Sequence, residues 1–209
     1  MVPPATTPAP PPRSPFAWLW PDRHLPEVLL ASEIGPVVFQ ALLLDGVARR
    51  VRGDVAIPAG VAETPGVRAL AAQHLVPRRA VVGRASAVWV HTGGASPDRI
   101  DVLVAPAARR PDPHAERVTH ECALPPSDVV MVGPVRVTSV QRTAIDIGRW
   151  SPPAQATPLV RRLATLAALD VRGTERRLDG ITGHRGVRSA REVLAAIGTG
   201  QAGATVVVP

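Results

Sequence analysis

Three clusters hold the residue types that chemistry needs. Gly93-Gly94-Ala95-Ser96, followed by Asp98 and Asp101, resembles the glycine-serine turn and paired aspartates with which nucleotidyltransferases hold magnesium. That site needs two aspartates flanking a single residue on a strand, and Asp101 instead leads into Val102-Leu103-Val104. A Pro-Asp nuclease pattern would need a downstream lysine, and the chain has none. The simpler reading is a glycine turn entering a buried strand. His114, Glu116, His120, Glu121 and Cys122 form the second cluster. On a strand His120 and Cys122 share a face, but two ligands do not close a zinc site. As a nucleophile pair they lack an orienting third group and a helix N-terminus to lower the thiol pKa. The expectation is a protein with no catalytic residues, no metal and no cofactor.

The third cluster is made of arginine. All 24 cationic residues are arginine, and asparagine and tyrosine are absent along with lysine. Those three residues use A/T-rich codons, so their joint absence points to a GC-rich genome. The net charge of +7 remains and attracts nucleic acid or another acidic partner. In Arg49-Arg50-Val51-Arg52, strand alternation sets Arg50 and Arg52 on one face, where guanidinium forks can grip phosphates. The alternative is a solvated edge strand guarded by charge. The preceding helix offers Gln40 and Asp45 outward but no arginine, so base reading would rest on Gln40 and the hairpin. Arg142, Asp146 and Arg149 fall on one helix side, as an ion-pair ladder or a partner surface. Arg161 and Arg162 on the next helix extend that basic region, as do Arg172, Arg176, Arg177, Arg185, Arg188 and Arg191.

The elements that position these residues can be read from periodicity and punctuation. A length of 209 residues allows one ordinary domain or two small ones. Hydrophobic residues make up 45% and aromatics only 3%, so the core must rest on Leu, Val, Ala and Ile. Residues 1–15 read as a Pro-rich tail, and residues 16–60 as a winged-helix-like unit. That unit has a short helix from Leu25 to Ser32 and a second opened by Gly35-Pro36. Val37, Val38, Ala41, Leu42 and Leu44 are expected on the buried side of the second helix, which Gly46 closes. A hairpin around Arg52-Gly53-Asp54 follows. Residues 61–198 read as one domain. Thr64-Pro65 opens a helix; Ala80–Val82, Ile100–Val104, Arg117–Ala123, Asp128–Val132 and Val135–Val137 read as strands, with Arg84–Val90 a helix anchored by Trp89. Ser139 caps the next helix, Thr157-Pro158 opens another, Thr174 caps a short one, and Val187–Ile197 is the last. Residues 199–209 read as a flexible tail. The fold class is α+β: a winged-helix-like N-terminal unit, a small mixed sheet with helices, and a helical C-terminal region. With one cysteine, no apolar leader in Met1–Pro12 and a broken apolar window at Val28–Leu44, the expectation is a soluble cytoplasmic protein.

Several stretches taken in order resemble the AbiEi-type antitoxins of high-GC bacteria. They are Asp45–Pro58, Arg68-Ala69-Leu70-Ala71-Ala72, Val82–His91, Val135–Ile147 and His184–Arg191. Ala56 stands where that family carries a tyrosine and Val140 where it carries a proline, and Phe16–Ile34 lacks a clear three-helix pattern. The resemblance implies a winged helix followed by an antitoxin domain, without the endonuclease-like domain of longer relatives. The implied function is that of a type IV antitoxin, which binds its own promoter and counters a nucleotidyltransferase toxin. Arg142, Arg149, Arg161 and Arg162 are the expected partner residues. A plain DNA-binding regulator, or a non-catalytic remnant of an endonuclease-associated protein, is the alternative.

Overall fold

Local signals explain most of the elements. In the computed structural model, which describes residues 27–181 and 183–202, the chain has an α+β fold. Strand β1 (Leu29–Leu30) leads into a one-turn helix α1 (Ala31–Ile34), and Pro36 then opens α2 (Pro36–Leu44). Gly46, at φ +69, reverses the chain into the hairpin β2 (Ala48–Arg52) and β3 (Val55–Pro58). β1 pairs antiparallel with the far side of β3, giving a three-stranded sheet ordered β1-β3-β2. Leu29 and Leu30 were expected in a helix; pairing with Ala56 and Val55 makes them a strand instead. The tail expected over residues 1–15 and the stretch from Phe16 to Pro26 lie outside the described residues.

Thr64 caps α3 (Pro65–Ala72), its hydroxyl accepting from the Val67 amide. After β4 (Val81–Val82) comes α4 (Arg84–Thr92), then β5 (Ile100–Val104), β6 (Arg117–Glu121), β7 (Val129–Val132) and β8 (Val135–Thr138). These strands form a mixed sheet ordered β6-β5-β4-β8-β7, in which β4–β8 and β5–β6 run parallel. Four helices finish the described chain: α5 (Val140–Trp150), α6 (Pro153–Leu166), α7 (Val171–Asp179) and α8 (Val187–Ala202). α8 continues through positions expected to begin a tail.

Two corrections concern helix starts. α6 begins at Pro153, a first-turn proline, so Thr157 and Pro158 lie inside it rather than opening it. α7 is capped by Asp170, which accepts from the Gly173 amide at 2.8 Å, while Thr174 sits buried one position further on. For α7 the reason is a carboxylate cap upstream of the threonine the sequence suggested; for α6 it is the fixed φ of a first-turn proline, with no side-chain cap at Pro152.

Three apolar clusters hold the fold. Leu29, Phe39, Ala48 and Ala56 form the N-terminal one, between α2 and one face of the hairpin. Val51, Val55 and Ile57, on the other face, join the central core with Leu75, Val82, Trp89, Ile100 and Val137. The third packs α5, α6, α7 and α8 through Ile147, Leu163, Leu178 and Leu194. α4 bridges the last two, placing Trp89 in one and Val88 in the other.

Candidate nucleic-acid interface and the arginine networks

The hairpin presents two of its three arginines. Arg49 and Arg50 are exposed, whereas Arg52 is buried with its neighbour Val51. A β-bulge is the cause: Arg50 pairs with Ala56 and Arg52 with Val55, so Val51 is an extra residue on β2 and alternation breaks there. Arg50 and Arg52 therefore do not share an open face. The Arg52 guanidinium donates to Ser96 Oγ (2.9 Å), to the Pro97 and Asp98 carbonyls, and to Glu116 (3.1 Å). It fastens the hairpin to the loop before β5 and is occupied by the fold itself.

Arg50 stays at the surface, its guanidinium 5.0 Å from the Phe39 ring centroid while it donates to the Gly53 carbonyl across the turn. Arg49 pairs with Glu63 at 2.7 Å. Gln40 is exposed on α2, as expected, but its neighbours correct the helix facing. Val37, Val38 and Leu44 are exposed, at 81%, 51% and 86%, and Ala41 is exposed too. The buried side is Phe39, with Leu42 and Leu43 packed against its cluster. One large aromatic ring opposite the hairpin outweighs several smaller apolar side chains in choosing the inward face.

Of the expected partner arginines, Arg142 is buried. Its Nη1 donates to Asp128 (2.9 Å), its Nε to Asp146 (3.0 Å) and its Nη2 to Cys122 Sγ (2.8 Å). Arg177 also donates to Asp128. Burial opposes the Arg142 charge, but the Asp146 charge and the hydrogen bonds to both carboxylates outweigh it and raise its pKa above the ordinary value. Arg162 is half-buried and donates to the Gly93 carbonyl at the end of α4. Arg161 is exposed, and Arg149 is half-buried with its Nε donating to the Arg185 carbonyl (3.0 Å).

The glycine-turn cluster and the His/Cys cluster meet through Asp101 and His120. Asp101 Oδ1 meets His120 Nε2 at 2.8 Å, and the buried Ser86 hydroxyl accepts from the Asp101 amide at 2.8 Å. The carboxylate stands between the histidine and the serine, its Oδ2 accepting from the Ser86 hydroxyl at 3.4 Å. Asp98 is exposed and contributes its carbonyl to Arg52. Among the described residues, no three His, Cys, Asp or Glu side chains gather as metal ligands. None of the described helices is long and apolar enough to cross a membrane.

Sequence reasoning missed Arg68. It is buried and binds the Val90 and His91 carbonyls together with Glu63, closing the C-terminal end of α4. It also missed Asp128, 14 residues from Arg142 with no local pattern linking them.

No family model matches the chain, and no curated protein matches it. Of solved structures, the crystal structure of RV2827C protein from Mycobacterium tuberculosis is similar, with a TM-score of 0.44 and 19% identity. The match covers 90% of this chain and 80% of that one. At that level of likeness no residue role is carried over.

Proposed function

We propose that this protein is a non-catalytic, antitoxin-like regulator that binds DNA through the β2–β3 hairpin. The observation carrying this reading is Arg50, exposed beside the hairpin turn and steadied over Phe39, with Arg49 beside it. A guanidinium held in place loses less freedom on meeting a phosphate than one swinging from a bare strand. The net charge of +7 adds long-range attraction to a polyanion. Phosphate recognition of this kind sets affinity and register, while base discrimination rests on few groups, Gln40 among them.

The antitoxin part rests on the resemblance of Val135–Ile147 and the other segments to AbiEi-type proteins. Arg149 and Arg161 are the partner residues that the fold leaves accessible, and a cytoplasmic nucleotidyltransferase toxin is the proposed counterpart. A plain promoter-binding regulator is the runner-up. Binding of the protein to DNA from upstream of its own gene, followed across a salt series, tests the first part. Replacing Arg49 and Arg50 by alanine is expected to lower the slope of log affinity against log salt by about 0.9 for each phosphate left unneutralised. An unchanged slope and affinity would reject the hairpin. Growth rescue from a co-expressed neighbouring toxin, abolished by Arg149→Glu/Arg161→Glu, tests the second.

A further inference from the structure

Three arginines from separate stretches converge on one indole. The guanidinium carbons of Arg149, Arg84 and Arg185 lie 5.1, 5.8 and 6.0 Å from the ring of Trp150. Arg84 opens α4, Arg149 sits beside Trp150 near the end of α5, and Arg185 precedes α8. Trp150 itself is 43% exposed. Among the described residues none of the three guanidinium groups lies within ion-pair distance of a carboxylate, whereas those of Arg49, Arg52, Arg68, Arg142 and Arg177 do. The buried Asp146 carboxylate feels the charges of Arg149 and Arg84 but already pairs with Arg142, so one negative charge is shared among several cations and an anion seated at the indole lowers the energy of the site.

Two further features point the same way. Arg84 adopts φ +50, a left-handed conformation that costs a residue with a Cβ, yet this position carries a long cation rather than glycine. A cavity of about 410 Å³ also opens beside Trp150, lined by Arg142, Arg149, Arg177, His184 and Cys122. Its one carboxylate, Asp128, is already engaged by Arg142 and Arg177. The volume falls in the range of small-molecule sites, and its wall is cationic with an aromatic edge.

We propose that Arg84, Arg149 and Arg185 on Trp150 form a phosphate-binding site that takes a nucleotide, whose ring enters the adjoining cavity. Guanidinium forks suit the oxygens of a phosphate, and the indole and Ile145 supply apolar surface for a planar ring. The nucleotide comes either free or as the end of a single strand. No hairpin residue takes part, so the site stands or falls apart from DNA binding by the wing.

The test is calorimetric titration of the full chain with inorganic pyrophosphate, ATP and a short 5′-phosphorylated single-stranded RNA. Arg84→Gly/Arg185→Gln removes two donors at positions where glycine tolerates the backbone and Arg185 is exposed. It is expected to weaken all three ligands by about tenfold or more. Arg172→Gln/Arg188→Gln removes the same charge from exposed positions elsewhere and should leave binding within about twofold. Trp150→Leu should weaken ATP more than pyrophosphate. ATP binding as tightly as the RNA identifies a free nucleotide; tighter RNA identifies a strand end, and either result supports the site. Should the double variant fail to fold, Arg185→Gln alone must still weaken binding several-fold. No measurable binding of any probe, or equal losses in the two double variants, overturns the proposal.

Discussion

Arg142 and Asp128 meet at 2.9 Å across a span of 14 residues, and Asp146 meets the same guanidinium from one helical turn further on. An arginine whose spacing suggested a surface ladder thus ties the start of β7 to α5. Both carboxylates are nearly sealed from water, at 2% exposure each. Removing the cation strands Asp146 and leaves Asp128 with Arg177 alone, and breaking a buried ion pair in this way costs about 3–5 kcal/mol.

Arg142→Ala is accordingly expected to lower the melting temperature by on the order of 10 °C. Arg142→Lys should recover little, because one ammonium cannot serve two carboxylates and a sulfur in three directions. Arg142→Met/Asp146→Leu should recover part of the loss, since much of the cost lies in the stranded carboxylate. Calorimetric melting of the four proteins decides it. Equal stability of Arg142→Ala and the parent would show the network to be incidental.

The network marks where the sequence stopped being legible. Thr64 and Ser139 were readable as caps because a cap needs only its own next turn. β5, β7 and β8 were readable from apolar runs and turn residues, and the mixed α+β class followed. Arg142 meeting Asp128, Arg68 reaching the end of α4, and the bulge at Val51 depend on partners that local pattern does not name. The facing of α2 failed for a related reason. Val37, Val38 and Leu44 have the right residue type, but only the position of the hairpin shows that Phe39 points inward.

Gly148 offers a test of helix packing. A Cβ placed there would lie 2.7 Å from the Ala190 Cα on α8, backbone that cannot turn aside. Gly148→Ala would raise intrinsic helix propensity by up to about 1 kcal/mol, yet it forces α5 and α8 apart. The expected net result is a loss of about 1–3 kcal/mol and a melting point lower by several degrees. A melting point equal to or above that of the parent would show that α8 can shift freely.

His91 sets a pH dependence. Its Nε2 lies 2.8 Å from the Thr138 carbonyl and acts as the donor. Burial pushes its pKa below the ordinary 6.5; the bond to Thr138 opposes that shift and the Arg68 charge adds to it. The unfolded chain therefore takes up a proton near pH 6.5 that the folded chain still refuses. The stability linked to His91 is complete above about pH 6.5, declines as the pH falls through that value, and levels off below the lowered folded pKa. His91→Gln keeps a donor for Thr138 and should flatten this part of the stability–pH curve, read by denaturant unfolding at several pH values. Parallel curves for the two proteins would remove His91 as the source.

Arg52 and Arg50 lie two residues apart on β2, yet their substitutions should separate cleanly. Arg52 is 7% exposed and holds Ser96, the Pro97 and Asp98 carbonyls and Glu116, so Arg52→Ala releases the hairpin from the loop before β5. Several hydrogen bonds, charge-assisted but close to solvent at Glu116, suggest a cost of about 2–3 kcal/mol and a melting point lower by roughly 5–10 °C. Where it remains folded, its salt slope for DNA should match the parent, because that guanidinium faces no phosphate. Arg50→Ala should do the reverse, leaving melting nearly unchanged and lowering the slope by about 0.9. A lower slope for Arg52→Ala in well-folded protein would mean that the loop opens on DNA and frees this arginine. The bulge at Val51 would then be a hinge rather than a fixed turn of the strand.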